Sequence, residues 1–255
     1  MTANINELAR HLIYRATERI PDEKLLQLLY DLIKRRVQSI APRAALKFLF
    51  ELDARLYELQ GSASVAYDGG IHTKHRHMKY HDFFTNRIRR EDRVLDIGCG
   101  IGAVAYDVAK QAGAFVLGMD FNAESIRTAQ ERFKHPNLVF RVGDALKDLP
   151  EESYTVIILS NVLEHLPERS AFLRRVQESA HPQRMLIRVP LFERDWRVPL
   201  KKEIGVEWRL DLTHETEYTQ EEFEQEMNAA GLVIAHKEIR WGEIWAEVVT
   251  DDSKS

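Results

Sequence analysis

The run Val94-Leu-Asp96-Ile-Gly98-Cys-Gly100-Ile-Gly102 decides the fold of this 255-residue chain. The run opens with apolar residues that predict a short buried strand, and the helical stretch 103–111 follows its last glycine. Glycines between a strand and a helix allow a tight turn and let a ligand lie against bare backbone at the helix N-terminus. The run therefore predicts a strand, a ligand-binding turn and a helix in direct succession.

From Arg93 onward, short β-rich runs alternate with helical stretches. Seven runs predict strands: RVLDI, AFVLGMD, NLVFRVG, YTVIILS, RMLIRVP, LVIAHKEI and EIWAEVV. This alternation is typical of an α/β protein with a mostly parallel sheet that is covered by helices on both faces. Only Arg240-Trp-Gly separates the last two runs, so we expect them to form an antiparallel hairpin at the sheet edge.

The first 60 residues predict helices instead of strands. Helical periodicity marks the stretches Ile5–Ile20, Asp22–Ile40 and Arg43–Leu59, and a proline precedes or begins the second and third of them. Gly61-Ser-Ala-Ser and Asp68-Gly-Gly predict loops. We therefore divide the chain into an N-terminal helical segment (1–60), a basic, His-rich lead-in (61–92) and an α/β domain (93–250) with an insertion at about 191–218. The helical segment either caps the active site or mediates a homodimer.

Composition excludes several classes of protein. The chain is 44% hydrophobic and 30% charged, as expected for a globular protein, and its single cysteine cannot form an internal disulfide. No apolar run approaches the ~18 to 20 residues of a membrane span, and the N-terminus does not resemble a signal peptide. We expect a cytoplasmic protein with no membrane partner. The net charge of -4 argues against a nucleic-acid partner, although residues 71–93 carry seven Lys/Arg against three acids.

Acidic residues follow three successive strands. Asp96 lies in the glycine turn, Asp120 ends the second strand and Asp144 ends the third. The glycines alone also satisfy a dinucleotide-binding pattern, but a pyrophosphate would meet the Asp96 carboxylate as a like charge. A cationic ligand would be stabilised there. The acids therefore favour S-adenosylmethionine, with Asp120 on the ribose hydroxyls and Asp144 on the adenine amine.

The motifs VLDIGCGIG, VLGMD, VGDA and LSNVLEHL, in this order, resemble the class I S-adenosylmethionine-dependent methyltransferases, in particular the ubiquinone-biosynthesis type and small-molecule O-methyltransferases. The resemblance covers residues 93–249. It implies a Rossmann-like, doubly wound sheet of seven strands that is mostly parallel and has an antiparallel last strand. It also implies cofactor contacts by Asp96, Gly98, Gly100 and Gly102 with the methionine part, by Asp120 with the ribose, by Asp144 and Ala145 with the adenine, and by Ser160 and Asn161 near the methionine end.

The acceptor and the chemistry are expected where the strand ends converge. Methyl transfer is an in-line displacement, so the enzyme positions the acceptor and helps a hydroxyl proton to leave. We predict His165 and His214 as candidate bases, with Glu164 beside them. For Glu164-His165 the alternative is a simple helix start, and for the histidines of the lead-in it is a solvated basic loop. Predicted acceptor-binding residues are Tyr80, His81, Arg188 and Arg197, the two arginines suiting an anionic group.

A metal site is the alternative for the same residues. Some RNA 2′-O-methyltransferases and ubiquinone-pathway enzymes that this chain resembles bind a divalent metal through Glu-x-x-Glu-His and a later His. Here the motif is Asn161-Val-Leu-Glu164-His165, and His214 matches the later element. Because asparagine removes one anionic oxygen, a hard-cation site is weakened, so we favour metal-free transfer and keep a divalent metal as an open alternative.

We therefore predict O-methylation of a small-molecule or glycan-type hydroxyl. The site is rich in His, Arg and Trp, and no Asp-Pro-Pro-Tyr-like motif for amine methylation follows the fourth strand. Three alternatives stay open. They are a metal-assisted RNA ribose 2′-O-methyltransferase, an NAD-type oxidoreductase and a catalytically silent binding protein.

Overall fold

A computed structural model describes residues 14–15, 17–70 and 72–250. The chain divides into two compact units. The first comprises the residues up to Gly61 with Ile204–Val206, and the second comprises Ser62–Glu203 with the residues from Glu207 onward. The predicted helix Ile5–Ile20 and the polar tail after Thr250 lie largely outside the described residues. No described helix has the length and apolar character needed to cross a membrane.

Two long helices follow the N-terminal residues. Helix α1 spans Asp22–Gln38 and helix α2 spans Pro42–Tyr67. The predicted loop at Gly61-Ser-Ala-Ser is wrong, because α2 continues through it. A single glycine inside a helix costs only about 1 kcal/mol, which the helical neighbours offset. The helix ends instead at Tyr67, just before Gly69 and Gly70, which have positive φ of 67° and 101°.

The second unit contains a seven-stranded sheet. Its strands are β1 Arg93–Ile97, β2 Phe115–Asp120, β3 Leu138–Val142, β4 Val156–Ser160, β5 Arg184–Pro190, β6 Leu232–Arg240 and β7 Glu243–Thr250. The order in space is β3-β2-β1-β4-β5-β7-β6. Strand β7 is antiparallel to both of its neighbours, β5 and β6, and the other strands run in one direction. The predicted fold class and the C-terminal hairpin are confirmed.

Helices cover both faces of this sheet. The helices that follow α2 are, in chain order, α3 Lys74–Met78, α4 Tyr80–Thr85, α5 Ala103–Gln111, α6 Ala123–Arg132, α7 Arg169–Ala180, α8 Arg197–Ile204 and α9 Gln220–Ala229. Successive strand residues enter different cores: Val94 packs in one buried cluster with Phe84 and Trp245, and Leu95 in another with Phe172. Because side chains alternate across a strand, each face has its own core, and the strand ends carry the loops that form a site.

The glycine turn between β1 and α5 is compact. Gly98, Gly100 and Gly102 all have positive φ, between 53° and 81°, which glycine adopts without strain. A Cβ on Gly98 would lie 2.6 Å from Cγ2 of Val162, and one on Gly102 would lie 2.4 Å from Cζ of Phe140. Gly98 and Gly102 therefore have room for backbone only, and α5 begins directly after Gly102.

Candidate active site

A cavity of about 490 Å³ opens at the carboxyl ends of β1 to β4. The strand order reverses between β1 and β4, and open α/β sheets bind their ligands at such a point. Six of the residues predicted from the sequence line it: Gly98, Asp120, Asp144, Ala145, Asn161 and His165. Gly100 and Gly102 shape the adjoining turn.

Asp96 is buried beneath the glycine turn. Its side chain is 1% exposed, and Oδ2 has no hydrogen-bond partner among the described residues. Burial, and to a smaller extent the nearby Asp120, raise the pKa of this carboxyl to about 8, although a backbone hydrogen bond from Ala105 lowers it. A buried carboxyl with a free oxygen suits an ammonium group, because the cation would favour the ionised form. The residues in this turn therefore fit S-adenosylmethionine.

Asp120 is the last residue of β2, and Asp144 lies just after β3. The N–H of Gly100 donates to Oδ2 of Asp120 at 2.8 Å, which ties the glycine turn to β2. The N–H of Leu146 donates to Oδ1 of Asp144 at 2.9 Å, and Nζ of Lys147 lies 2.7 Å from Oδ2. The Lys147 hydrogen bond is the main reason that the pKa of Asp144 is lowered. A carboxylate oxygen can accept two hydrogen bonds, so both acids can still bind a ligand.

His165 is positioned by a chain of hydrogen bonds from the insertion. The Thr213 hydroxyl donates to Oδ1 of Asp211 at 2.7 Å. Its only proton is thereby used, so its oxygen accepts from Nδ1–H of His165, 3.0 Å away. Nε2 of His165 therefore carries the lone pair. This Asp211–Thr213–His165 chain holds an imidazole at the rim of the cavity with its basic nitrogen available.

His214 lies next to His165, with the rings edge to face and their centroids 4.7 Å apart. Nδ1 of His214 is 3.0 Å from Oε1 of the buried Glu217. Burial raises the pKa of Glu217, but hydrogen bonds from His214 and the Leu210 amide, together with Arg194, lower it overall. The carboxylate is therefore ionised, and Nδ1 of His214 donates to it. The lone pair of His214 also lies on Nε2.

Glu164 completes this group. It is fully buried, and neither carboxylate oxygen has a hydrogen-bond partner in the described part of the chain. Burial raises the pKa of Glu164 to about 8. Glu164, His165 and His214 each offer one ligand atom within 4.8 Å of the others. Two imidazoles and a carboxylate with an orphaned oxygen fit a divalent cation. The preference for metal-free transfer, with a divalent metal as the alternative, stays a prediction.

The predicted acceptor residues lie on the lead-in and on β5. The Tyr80 hydroxyl is 3.0 Å from Nδ1 of His75, and the Arg188 guanidinium lies over the Tyr80 ring, 4.0 Å from its centroid. Burial and the neighbouring His81 lower the pKa of His75 to about 4, so the neutral ring accepts the hydroxyl proton. Both carboxylate oxygens of Glu243 bind Arg188 at 2.6 Å. Arg188 thus already has an anionic partner.

His81 and Arg197 also have acidic partners. Nδ1 of His81 lies 2.5 Å from Oδ2 of Asp107, and His81 lines a second cavity of about 720 Å³. Arg197 begins α8 and pairs with Asp195 at 2.6 Å. The geometry brings Tyr80 and Arg188 into one cluster, with Ser160 Oγ 3.4 Å from Arg188. The acceptor-binding roles of all four residues stay predictions.

Residues 94–183 match a family model described as a methyltransferase domain. This chain carries a class I S-adenosylmethionine-dependent methyltransferase domain. The match begins in β1 and ends just before β5, so it contains the glycine turn and the ends of the first four strands. The predicted family, fold and cofactor are thereby confirmed.

Relatives of the methyltransferase domain differ in their acceptors. Ubiquinone biosynthesis O-methyltransferase of Neisseria meningitidis serogroup C is 32% identical over 103 residues, which are 38% of this chain and 43% of that protein. Norajmaline N-methyltransferase of Rauvolfia serpentina is 29% identical over 111 residues, 41% of this chain and 38% of that protein. Each match therefore spans less than two thirds of the relative.

A solved structure shares the fold of the methyltransferase domain. Magnesium protoporphyrin IX methyltransferase from Synechocystis PCC 6803 with bound SAH aligns with a TM-score of 0.56 and 20% identity. The alignment covers 68% of this chain and 83% of that chain. At this identity the likeness concerns the fold alone.

Several supporting residues of the methyltransferase domain were not predicted. They are Asp107, Arg194, Asp211, Thr213, Glu217 and Glu243. The spacing of His214 and Glu217 is the one local signal that pointed to such a pair. Asp211 and Thr213 bind each other locally, two residues apart, and the remaining contacts form only through the tertiary fold.

Proposed function

We propose that this protein transfers the methyl group of S-adenosylmethionine to an oxygen of a small-molecule or glycan-type acceptor. The observation that carries the proposal is the Asp211–Thr213–His165 chain, which leaves a basic nitrogen at the rim of the cofactor cavity. Methylation of nitrogen needs a base less often, because an amine already offers a lone pair when neutral. The O-methyltransferase among the relatives supports the choice of oxygen. A cytoplasmic location is part of the proposal, supported by the single cysteine, Cys99.

The strand ends would bind the cofactor in one orientation. Bound S-adenosylmethionine supplies a methyl carbon that is activated by a positively charged sulfur. Asp96 would face the ammonium group, while Asp120 would accept from the ribose hydroxyls and Asp144 from the adenine amine. The glycine turn would provide backbone N–H groups and leave no side chain in the way.

His165 would act as the general base. Its Nε2 would take the acceptor's hydroxyl proton while the oxygen bonds to the methyl carbon and the carbon–sulfur electron pair moves to sulfur. Thr213 and Asp211 would stabilise the resulting imidazolium, because the carboxylate lies at the far end of the hydrogen-bond chain. A positioned base of this kind typically contributes ~10²- to 10⁴-fold to the rate.

Calorimetric titration with S-adenosylmethionine, and separately with NADH, tests the cofactor assignment. We expect saturable binding of S-adenosylmethionine alone, weakened in the Asp144→Ala variant. Turnover is then screened on phenolic and sugar hydroxyls, where His165→Ala should lower kcat by ~10²-fold or more without changing cofactor affinity. Binding of NADH, or of neither ligand, would contradict the proposal, as would full activity of His165→Ala.

A second candidate is metal-assisted methylation of an RNA ribose 2′-hydroxyl. The juxtaposition of Glu164, His165 and His214 favours it, because these residues would hold a divalent cation that polarises the acceptor oxygen. Titration with manganese or magnesium compares the wild type with Glu164→Gln and His214→Ala. Methyl transfer to an RNA oligonucleotide, but not to the DNA of the same sequence, would select this candidate. Activity in the presence of a chelator would exclude it.

A further inference from the structure

A second cavity, of about 720 Å³, lies beside the lead-in helices α3 and α4. Its other walls come from α5 and from the C-terminal end of α6. The described residues that line it are all different from those of the cofactor cavity. The glycine turn contributes to both, because Gly98 lines the first cavity and Ile101 lines the second. A cavity of this volume can hold a small organic molecule.

Basic side chains outnumber acids around the second cavity. The acids are Asp82 and Asp107, and Asp107 is paired with His81 at 2.5 Å. The basic side chains are those of His72, His75, Arg76, Lys79, His81 and Arg132. Arg76 binds Asp68 at 3.3 Å, whereas no described carboxylate lies within ion-pair distance of Lys79 or Arg132. Two free cations against the single acid Asp82 leave an excess of positive charge, which favours an anionic ligand.

Two histidines of the second cavity present N–H donors. The backbone N–H of Lys74 donates to Nδ1 of His72 at 3.1 Å, and the Tyr80 hydroxyl donates to Nδ1 of His75 at 3.0 Å. A neutral imidazole that accepts at Nδ1 carries its proton on Nε2. Neither Nε2–H has an acceptor in the part of the chain that the structure describes. His72 and His75 therefore add two hydrogen-bond donors to the charges of Lys79 and Arg132.

Lys79 has a left-handed backbone conformation between α3 and α4, with φ of 48° and ψ of 38°. Glycine adopts this conformation without strain, whereas it destabilises a residue that has a side chain. The Lys79 side chain is exposed, and no ion pair or hydrogen bond to a described residue offsets the strain. Strained residues cluster at functional sites. A lysine at a position that suits glycine therefore indicates that its charge is used.

Two aromatic rings line the same cavity. Tyr106 and Phe133 stack with their centroids 4.6 Å apart and their planes inclined by 22°. The Arg132 guanidinium lies 5.4 Å from the centroid of Phe133. Sites for small molecules combine aromatic walls with a few polar groups that fix the orientation of the ligand. The rings therefore suit the carbon part of a ligand whose anionic group is bound by the cations.

We propose that the second cavity binds a small organic phosphate monoester. Lys79 and Arg132 neutralise its phosphoryl group, His72 and His75 donate to the phosphoryl oxygens, and the carbon part packs against the stacked rings. A phosphoryl group has about two negative charges and three terminal oxygens, so it matches several donors better than a carboxylate does. The net charge of -4 argues against a nucleic-acid backbone as the occupant. The site does not rest on the proposed function, because it lies outside the cofactor cavity.

Calorimetric titration of the full chain with phenyl phosphate, inorganic phosphate and phenol tests this site. We expect saturable binding of phenyl phosphate, weaker binding of inorganic phosphate, and no binding of phenol at the same concentrations. Saturating S-adenosylmethionine should not displace phenyl phosphate, because the two cavities share no lining residue. Displacement by S-adenosylmethionine would overturn the proposal, as would phenol that binds as tightly as phenyl phosphate.

Lys79→Gly distinguishes the charge of the side chain from the strain of the backbone. The variant should unfold at a urea concentration at least as high as the wild type, because glycine suits the left-handed conformation. Its dissociation constant for phenyl phosphate should nevertheless rise by about tenfold, as expected for the loss of one charged hydrogen bond. Arg132→Ala should weaken binding to a similar extent. The matched control is Lys74→Ala, at an exposed lysine of α3 that does not line the cavity, and it should bind like the wild type.

Unchanged affinity in both Lys79→Gly and Arg132→Ala would overturn the proposal. Equal weakening by Lys74→Ala would also overturn it, because it would indicate a general effect of surface charge. A single-stranded RNA oligonucleotide without terminal phosphates is titrated in parallel. RNA binding that the same two variants weaken, without any binding of phenyl phosphate, would assign the cations to a nucleic-acid backbone and contradict the proposed ligand.

Discussion

Asp96 is a carboxyl that the protein buries at an energetic cost. Its pKa of about 8 lies above the usual value of 3.8, so the folded protein without ligand favours the protonated form. The folded state then binds the proton more tightly than the unfolded state does, and the free energy of unfolding falls as the pH rises from about 4 to 8. A bound cation would offset the cost of ionising Asp96. The binding of a cationic ligand is therefore coupled to the free energy of unfolding through this residue.

Asp96→Asn should therefore stabilise the ligand-free protein and weaken the cofactor site. We expect a free energy of unfolding higher by about 1 to 3 kcal/mol above pH 8, with little change near pH 4, because only the ionised form is penalised. Affinity for S-adenosylmethionine should fall by about tenfold or more. Chemical denaturation at both pH values, with calorimetric titration, measures these effects. Glu151→Gln, at an exposed acid, is the control, and an equal gain in that variant would refute the explanation.

Thr213 should affect the rate of methyl transfer because it positions His165. Thr213→Val removes the hydroxyl that accepts from Nδ1–H, so the ring loses its fixed orientation and the link to Asp211. We expect kcat to fall by about tenfold with the KM for S-adenosylmethionine unchanged, since the loss of one positioning hydrogen bond costs about 1 kcal/mol. Thr213→Ser keeps the hydroxyl and should keep the rate. Steady-state kinetics with an identified acceptor measures both variants. Equal rates for Thr213→Val and Thr213→Ser would contradict the positioning role of Thr213.

The strands of the sheet can be predicted from local sequence, whereas the C-terminal end of α2 was predicted wrongly. Each predicted strand is confirmed, because β-rich runs of five to nine residues between turn residues leave little ambiguity. The end of α2 was misplaced because Gly61 was given more weight than the helix formers around it. The two glycines at 69 and 70, which take a conformation that other residues avoid, are the stronger stop signal.

Alanine substitutions at Gly100 and Gly102 should distinguish the cost of backbone strain from the cost of steric overlap. At Gly100 a Cβ meets no atom within 4 Å, so Gly100→Ala incurs only the left-handed backbone penalty of about 1 to 2 kcal/mol. At Gly102 the Cβ would overlap the Phe140 ring, which adds about 1 to 3 kcal/mol of overpacking. Gly102→Ala should therefore unfold at lower denaturant concentration than Gly100→Ala. Urea titrations of both variants measure the difference, and equal midpoints would show that the ring moves aside freely.

Across the whole molecule, the sequence predicts the residues that would bind the cofactor better than it predicts those around the acceptor. Asp120 and Asp144 directly follow their strands, so sequence position places them. Glu243 meets Arg188 only because β7 enters the sheet beside β5, and the chain order of β6 and β7 gives no sign of this. His165 binds Thr213, which lies in the insertion 48 residues further along the chain, whereas the partner of His214 is Glu217, only three residues away.

Ligand binding should stabilise the molecule as a whole. With S-adenosylmethionine at a hundred times its dissociation constant, we expect a gain of about 2.7 kcal/mol in the free energy of unfolding. For a domain of this size the gain corresponds to a Tm increase of about 5 to 10 °C. Thermal unfolding with S-adenosylmethionine, adenosine or NADH compares the ligands. Adenosine should give a smaller shift because it lacks the cation for Asp96, and a larger shift with NADH would contradict the cofactor assignment.

Strand β7 lies between β5 and β6 although the ribosome makes it after both. A nascent chain that stops before Glu243 exposes the facing edges of two strands and leaves Arg188 without its carboxylate. Unpaired edges of this kind are templates for aggregation. The protein therefore completes its sheet only after synthesis of the last strand, and until then the edges of β5 and β6 are open to pairing with other chains.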